Sequence, residues 1–155
     1  IGLIYNPGEP NSVSVITDTK AYLEKNGYTF EEATVNATGD VAQAAQSLVG
    51  KKVDAIFSPI DNTVATAMSV LSDIAIDAKT PVYVSADSMV HDGGLATVGV
   101  NYTNLGHQTG DMVIDVLINN KKIADMPVQV LNEYSTVVNE ETAKLIGVDV
   151  SKYAK

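Results

Sequence analysis

Polar residues that follow the first predicted strand could bind a small ligand. The apolar run at residues 1–5 leads into Asn6-Pro7-Gly8-Glu9-Pro10, and two prolines with a glycine end any strand there. Asn11 or Ser12 then provides a favourable N-cap for a helix that ends near Gly27. In an open α/β sheet such a loop lies at the carboxyl end of a strand, where unpaired helix N–H groups can meet a ligand. We therefore expect Asn6, Asn11 and Ser12 to form one wall of a binding site.

Two further groups of polar residues follow predicted strands. Asp61, Asn62 and Thr63 come after a strand at residues 53–58, whereas Ser85 and Asp87 lie at the end of a strand at residues 80–85. Because the carboxyl ends of parallel strands meet at one edge of a sheet, all three groups are expected to converge. Each also has an ordinary structural explanation, since Ser12 and Asp61 are good helix caps and Asp87 is a common turn residue.

The elements that must position these residues alternate along the chain. Strands are predicted at residues 1–5, 28–35, 53–58, 80–85 and 95–100, and helices at 12–26, 41–48, 62–78, 105–119 and 140–146. Residues 86–94 are predicted to be a loop with at most one helical turn, and residues 127–131 and 135–138 to be extended. This alternation predicts an α/β fold, an open, mostly parallel, doubly wound sheet flanked by helices. The segment after residue 100 adds a crossover helix and a strand.

Composition excludes several classes of partner. The chain has 155 residues, a net charge of -9 and no cysteine, and all ten of its basic residues are lysine. It is long enough for one domain with a core, and it can form neither disulfides nor thiolate metal sites. Without arginine, and with an acidic field, binding to nucleic acid or to an anionic bilayer is unfavourable. No apolar run is long enough for a membrane span, and no basic region followed by an apolar one opens the sequence.

Enzymatic motifs are weak in this sequence. It contains no Gly-x-Gly-x-x-Gly after the first strand, no Walker loop and no Gly-x-Ser-x-Gly, so neither a nucleotide cofactor nor a serine nucleophile is indicated. His91 lies four residues after Asp87 and could suggest a metal pair, but Gly93-Gly94 disfavours a long helix there. His107 lies on a predicted helix, where packing explains it. We therefore expect no catalytic residue, no metal and no cofactor.

Several stretches of the sequence, in this order, resemble a known family. They are GLIYNPGEPNS (residues 2–12), PIDNTV (59–64), SADSMV (85–90), GGLATVGVNY (93–102), LGHQTG (105–110), VVN (137–139) and AKLIG (143–147). Together they resemble the substrate-binding proteins of ABC importers, in the tryptophan- or tyrosine-type branch with the type I periplasmic-binding-protein-like fold. The resemblance extends over nearly the whole chain.

This resemblance implies a two-lobed protein that closes over its ligand about a hinge. Residues 1–97 would form the second, C-terminal ligand-binding lobe. Residues 98–155 would carry hinge crossings near 98–102 and 130–138, a helix at 105–119 that belongs to the first lobe, and a C-terminal tail. The first lobe would precede Ile1 and is not in this sequence. The helix must therefore repack on its own lobe, contact that missing N-terminal lobe or pair with a second copy of the chain.

The resemblance also implies a function and roles for the site residues. The protein would capture an aromatic or other apolar amino acid without transforming it, and it would deliver that ligand to an ABC transporter permease. Asn11 and Ser12 could hold the ligand carboxylate, while Asp61 and Asp87 could pair with its ammonium. Such partners are needed because burying either ligand charge without one is energetically costly. The location would be extracytoplasmic, either periplasmic or lipid-anchored as a lipoprotein. Two alternatives remain open, a ligand-sensing domain of a transcription regulator and a small flavodoxin-like enzyme.

Overall fold

A six-stranded sheet organises the computed structural model, which describes residues 1–131 and 134–153. The strands are β1 Gly2–Tyr5, β2 Glu31–Thr34, β3 Ile56–Ser58, β4 Val82–Val84, β5 Ala96–Val100 and β6 Tyr134–Val138. The helices are α1 Pro10–Lys25, α2 Val41–Gly50, α3 Asn62–Thr66, α4 Met68–Asp77, α5 Asp87–His91, α6 Tyr102–Leu117 and α7 Glu140–Ile146. Short 3-10 turns occupy Thr38–Asp40 and Ile123–Asp125.

The strand order is β2-β1-β3-β4-β5-β6, in which the first five strands are parallel and β6 is antiparallel to β5. The predicted fold class, an open and mostly parallel sheet flanked by helices, is thus confirmed. Parallel strands that are covered on both faces consist of nearly continuous apolar residues, as β1 does. Its Leu3 packs on Ile16 and Leu23 of α1, whereas the next residue, Ile4, packs into the main core on the opposite face.

That main core lies between the sheet and the helices α2, α3, α4 and α5. It contains Ile56 and Val82 from the strands, together with Leu48, Val64 and Leu71 from the helices, all almost completely buried. On the other face α1 covers the side of the sheet near β1 and β2. Further along that face, Tyr83 is 43% exposed and Val98 is 74% exposed. The two faces are therefore covered unequally.

The first helix begins earlier than the sequence predicted. Its N-cap is Glu9 and Pro10 is its first residue, whereas the prediction placed the cap at Asn11 or Ser12. The prediction was wrong because proline is well suited to the first helical position, where its fixed φ is favourable and its missing N–H is not needed. Asn11 and Ser12 consequently lie within the first turn.

The helix predicted at residues 62–78 is two helices, α3 and α4, separated at Ala67 with φ -112° and ψ 23°. The hydroxyl of Thr66 donates a hydrogen bond to the carbonyl of Asn62 (2.7 Å). Back-bonding of this kind competes with the helical pattern and bends helices. Thr17, Thr19 and Thr109 make the same bond within the continuous helices α1 and α6, so this bond alone does not explain the break.

Several predicted boundaries also change. The strands predicted at 28–35, 53–58 and 80–85 shorten to β2, β3 and β4, and the loop predicted at 86–94 contains the five-residue helix α5. The segment predicted to be extended at 127–131 forms no strand, while β6 and α7 match the predictions at 135–138 and 140–146 closely. The second predicted hinge crossing, 130–138, lies partly outside the described residues.

Helix α6 makes little contact with the rest of the protein. None of its residues is buried, and the exposed fractions of Val113, Ile114 and Leu117 are 49%, 50% and 71%. Its apolar side and the segment 123–128 line a groove of about 480 Å³, and Gln108 donates a hydrogen bond to Gln129 across it (2.8 Å). Within the described residues, no helix is both long enough and apolar enough to cross a membrane.

Candidate functional site

The loops that follow β1 and β3 meet where the direction of strand order reverses. β1 lies between β2 and β3, and the helices that follow β1 and β3 pack on opposite faces of the sheet. At such a topological switch point a crevice opens outside the carboxyl ends of the strands, and ligands bind there in open α/β sheets. Six of the eight predicted site residues lie in these two loops or in the first turns of the helices α1 and α3 that follow them.

All four polar groups of Asn6 are hydrogen-bonded, and two of them join the two loops. Its backbone N–H donates to Asp61 Oδ2 (2.7 Å) and its Nδ2 donates to Thr63 Oγ1 (2.8 Å). Its Oδ1 accepts from the N–H of Gly8 (2.7 Å), and its carbonyl accepts from the N–H of Glu9 (3.1 Å). The residue therefore closes its own turn and fixes that turn to the loop after β3.

Asp61 is completely buried, with 0% of its surface exposed. Its Oδ1 accepts the N–H of Val64 (2.9 Å), which makes it the N-cap of α3, and its Oδ2 accepts the N–H of Asn6. The capping role that the sequence left open is therefore present. A ligand ammonium has no exposed surface of Asp61 to contact in this structure, so its predicted direct role stays a prediction.

Glu9 belongs to this network although the sequence did not single it out. Its Oε2 accepts from the N–H and Nδ2 of Asn62 (both 2.9 Å), and its Oε1 accepts from the N–H (3.0 Å) and hydroxyl (3.1 Å) of Thr63. Desolvation by burial raises the pKa of Glu9, but these donors outweigh it and hold the pKa below its ordinary value of 4.5. An acidic residue directly before a proline that can begin a helix was the available signal.

Asn11 and Ser12 also point toward the loop after β3. Asn11 Nδ2 donates to the carbonyl of Ile60 (2.6 Å), and Ser12 Oγ donates to the same oxygen at 3.3 Å. Asn11 is exposed, whereas Ser12 has 0% of its surface exposed. Both side chains therefore tie the start of α1 to the neighbouring loop, and Asn11 also remains accessible to a ligand.

Ser85 and Asp87 lie at the same edge of the sheet, after β4, which is next to β3. Both are partly exposed, and Asp87 Oδ1 accepts the N–H of Ser88 (2.8 Å). Among the described residues no hydrogen bond joins this pair to the network around Asn6. The topology therefore brings them to the site's edge without connecting them to it.

Residues around the end of β5 and the start of β6 also border this edge, and the sequence did not predict them as site residues. Because β6 is antiparallel to β5, the start of β6 at Tyr134 lies beside the end of β5. A cavity of about 490 Å³ is found there, and its lining includes Asn101, Asn104, Tyr134 and Thr136. Asn101 Oδ1 accepts the N–H of Asn104 (3.0 Å) and caps α6. A polar cap residue directly after a strand was the signal that could have identified it.

The polar residues at this edge of the sheet can bind a small ligand, but the described residues among them form no metal-binding cluster. Glu9, Asp61 and Asp87 give the edge a negative character, and the salt bridges found in the structure join other residues. Residues 1–131 and 134–153 contain no group of three His, Asp or Glu residues placed to hold a metal ion. Amide and hydroxyl groups beside carboxylates suit a small polar ligand with a cationic end.

Known proteins resemble this chain in both sequence and fold. A Vibrio cholerae conserved domain protein of known structure is 37% identical, with a TM-score of 0.89, over 99% of this chain and 53% of its own. A Streptococcus pneumoniae ABC domain, solved in complex with L-Trp, is 38% identical, with a TM-score of 0.86, over 99% of this chain and 52% of its own. A curated Clostridioides difficile protein named tyrosine-binding protein is 36% identical over 94% of this chain.

The chain spans only 42% of that curated relative and about half of each solved structure. A family model described as ABC transporter substrate binding protein matches residues 1–154. This match covers the loops after β1, β3 and β4 together with α6 and β6. The chain therefore belongs to the ABC transporter substrate-binding protein family.

Proposed function

We propose that the protein containing this chain is the solute-binding component of an ABC importer, which captures an amino acid without transforming it. The observation that carries the proposal is the hydrogen-bonded meeting of the loops after β1 and β3 at the switch point. Membership of the substrate-binding family supports it. The L-Trp complex and the tyrosine-binding name of two relatives favour an aromatic amino acid. An ABC permease and an extracytoplasmic location, with or without a lipid anchor, are parts of the same proposal.

The accessible residues at this edge would contact the ligand. Asn11 and Asn62 are exposed, and Asn6 and Thr63 are partly exposed, so their amide and hydroxyl groups can bond the polar ends of an amino acid. Asp87, with a partly exposed carboxylate, would pair with the ammonium. Ser12 and Asp61, which are buried, would hold the two loops in place without contacting the ligand. Ser85 would border the pocket beside Asp87. Charge-assisted hydrogen bonds of this kind provide most of the orientation in a small polar site.

The two-lobe division is a further part of the proposal. Residues 1–97 would form the second lobe, and residues 98–155 the hinge crossings, α6 and the tail. The exposed apolar side of α6 supports this division, because a helix with no buried residue lacks the packing that normally stabilises it. The length of the relatives supports it too, since about half of each solved relative has no counterpart in this chain. In the full-length protein α6 would then pack on the first lobe.

Calorimetry on the full-length protein tests the function. L-tryptophan and L-tyrosine are expected to bind, whereas D-tryptophan and L-lysine bind at least tenfold more weakly. Asp87→Asn is expected to weaken binding by about tenfold, because one charged partner of the ammonium is lost. Asp92→Asn, an exposed acid at the far end of α5, is the matched control and should bind as the wild type does. Absence of heat with every amino acid would refute the function, and unchanged affinity in Asp87→Asn would remove that residue from the site.

Amide hydrogen exchange tests the lobe division. In the full-length protein the amides of residues 105–117 are expected to be protected as strongly as those of α2, because the first lobe would cover the apolar side of α6. Val113→Asp should abolish that protection while leaving α2 unchanged. Fast exchange throughout α6 in the wild type would contradict the division.

A further inference from the structure

We propose that Glu9 is a positioning residue of the ligand site, which sets the direction of the hydrogen bonds made by Thr63 and Asn6. This inference rests on the proposed function, because it concerns the same site. It starts from the four donors that the Glu9 carboxylate accepts, two on each oxygen, at 2.9 to 3.1 Å. Those donors come from two consecutive residues across the gap between the β1 and β3 loops. One side chain therefore holds the first residues of α3 against the loop before α1.

The charge of Glu9 determines how the hydroxyl of Thr63 is used. An ionised carboxylate only accepts hydrogen bonds, so the hydroxyl must donate its single proton to Glu9 Oε1. A lone pair of the same oxygen then accepts Asn6 Nδ2 at 2.8 Å. The order of donation is thus from Asn6 to Thr63 to Glu9. The amide of Asn6 is held with its Oδ1 toward Gly8, whose N–H it accepts at 2.7 Å.

Removal of the negative charge of Glu9 would allow the donation order from Asn6 to Thr63 to Glu9 to change. A glutamine at position 9 that turns its NH₂ group toward Thr63 places a donor against the N–H of that residue, while its single carbonyl oxygen still accepts from Asn62. The hydroxyl of Thr63 becomes free to donate toward Asn6, which requires that amide to turn. Since Asn6, Asn62 and Thr63 are three of the accessible polar residues of the site, the site loses a fixed set of donors and acceptors. Fixed donors are what make such a site bind without a reorganisation cost.

A double-mutant cycle in the full-length protein tests this inference, with L-tryptophan and L-tyrosine as the probes in calorimetry. Glu9→Gln and Thr63→Val are each expected to weaken binding about tenfold, and the double variant should be no weaker than either single one, because both changes break the same chain of bonds. Thr63→Ser keeps the hydroxyl and should restore wild-type affinity. Glu24→Gln, an exposed acid on the same helix α1, is the control and should have no effect.

Thermal unfolding of the same proteins separates the possible failures. Additive losses of affinity, or a Glu9→Gln variant that binds as the wild type does, would overturn the positioning role while leaving the proposed function intact. If the wild type binds neither amino acid, the proposed function fails, and the inference about the site fails with it. Non-additive shifts of melting temperature would then show only that Glu9 and Thr63 are structurally coupled.

Discussion

Replacement of Asp61 by asparagine should destabilise the protein strongly. The carboxylate is fully buried and accepts two backbone N–H groups, from Asn6 at 2.7 Å and from Val64 at 2.9 Å. A hydrogen bond to a charged group contributes about 1.5–3 kcal/mol, and a buried group left without its partner costs about 1–3 kcal/mol. Asparagine keeps one acceptor but turns its NH₂ group toward the second N–H. We therefore expect the free energy of unfolding to fall by about 2–4 kcal/mol.

The assay is chemical denaturation followed by far-ultraviolet circular dichroism, with Asp73→Asn as the control. Asp73 is exposed on α4, and aspartate and asparagine have similar helix propensity, so the control should change stability by less than about 0.5 kcal/mol. Asp61→Ala removes both acceptors and should cost at least as much as Asp61→Asn. If Asp61→Asn were as stable as the control, the carboxylate would not be holding the two loops, and the account of the switch point would be wrong.

Three further changes have expected outcomes. Gly99→Ala should lower the free energy of unfolding by about 1–3 kcal/mol in denaturation, because a Cβ there would collide with the carbonyl of Ser85; wild-type stability would contradict the close packing. Glu32→Gln removes the negative charge that pairs with Lys20 Nζ at 2.9 Å on a partly exposed surface, so it should cost at most about 1 kcal/mol and less in 1 M salt; a larger, salt-independent loss would refute a surface pair. Burial raises the pKa of Glu9, but its hydrogen-bond donors lower it further, so that the pKa lies below the ordinary 4.5. The ionised carboxylate therefore stabilises the folded protein fully above the unfolded pKa, and this stabilisation is lost as pH falls through the folded pKa. Acid titration of Glu9→Gln should lack that step, and identical acid profiles would contradict it.

The alternation of elements could be predicted because each element carries its own local signal. β1 is apolar at successive positions, since Leu3 and Ile4 pack into different layers, and this continuity is typical of a strand buried on both faces. Helix α1 ends as predicted, with Asn26 as its C-cap and Gly27 at a positive φ of 75°. Such signals depend on a few neighbouring residues, so they can be recognised in the sequence without knowledge of the tertiary structure.

The role of Glu9 could not be predicted in this way. Its partners Asn62 and Thr63 lie 53 and 54 residues further along the chain. The local sequence shows only an acid between two prolines, which is also typical of an exposed turn. Its hydrogen bonds become evident only when β1 and β3 are known to be neighbours and the loops that follow them are known to meet.

The break between α3 and α4 was missed for a different reason. The apolar stripe continues through Val64, Met68 and Leu71, all buried in the same core, so its periodicity does not change at Ala67. The hydroxyl of Thr66 bonds back to the preceding turn, but Thr17 and Thr109 do the same within continuous helices, so such a threonine does not predict a break. The periodicity of apolar residues indicates which side of a helix is buried, but it does not indicate whether the helix is continuous.

The two exposed apolar surfaces have one topological cause. In a doubly wound sheet a helix that follows the last parallel strand can cover the part of the sheet face that the first helix leaves open. Here the chain leaves β5 into α6, which packs on none of the strands extensively, and it returns as the antiparallel strand β6. Tyr83 and Val98 therefore remain exposed on the sheet, while Val113 and Leu117 remain exposed on α6. Amphipathic spacing predicted that α6 would have an apolar side, but the surface that covers this side depends on where the chain goes, which spacing within a helix does not encode.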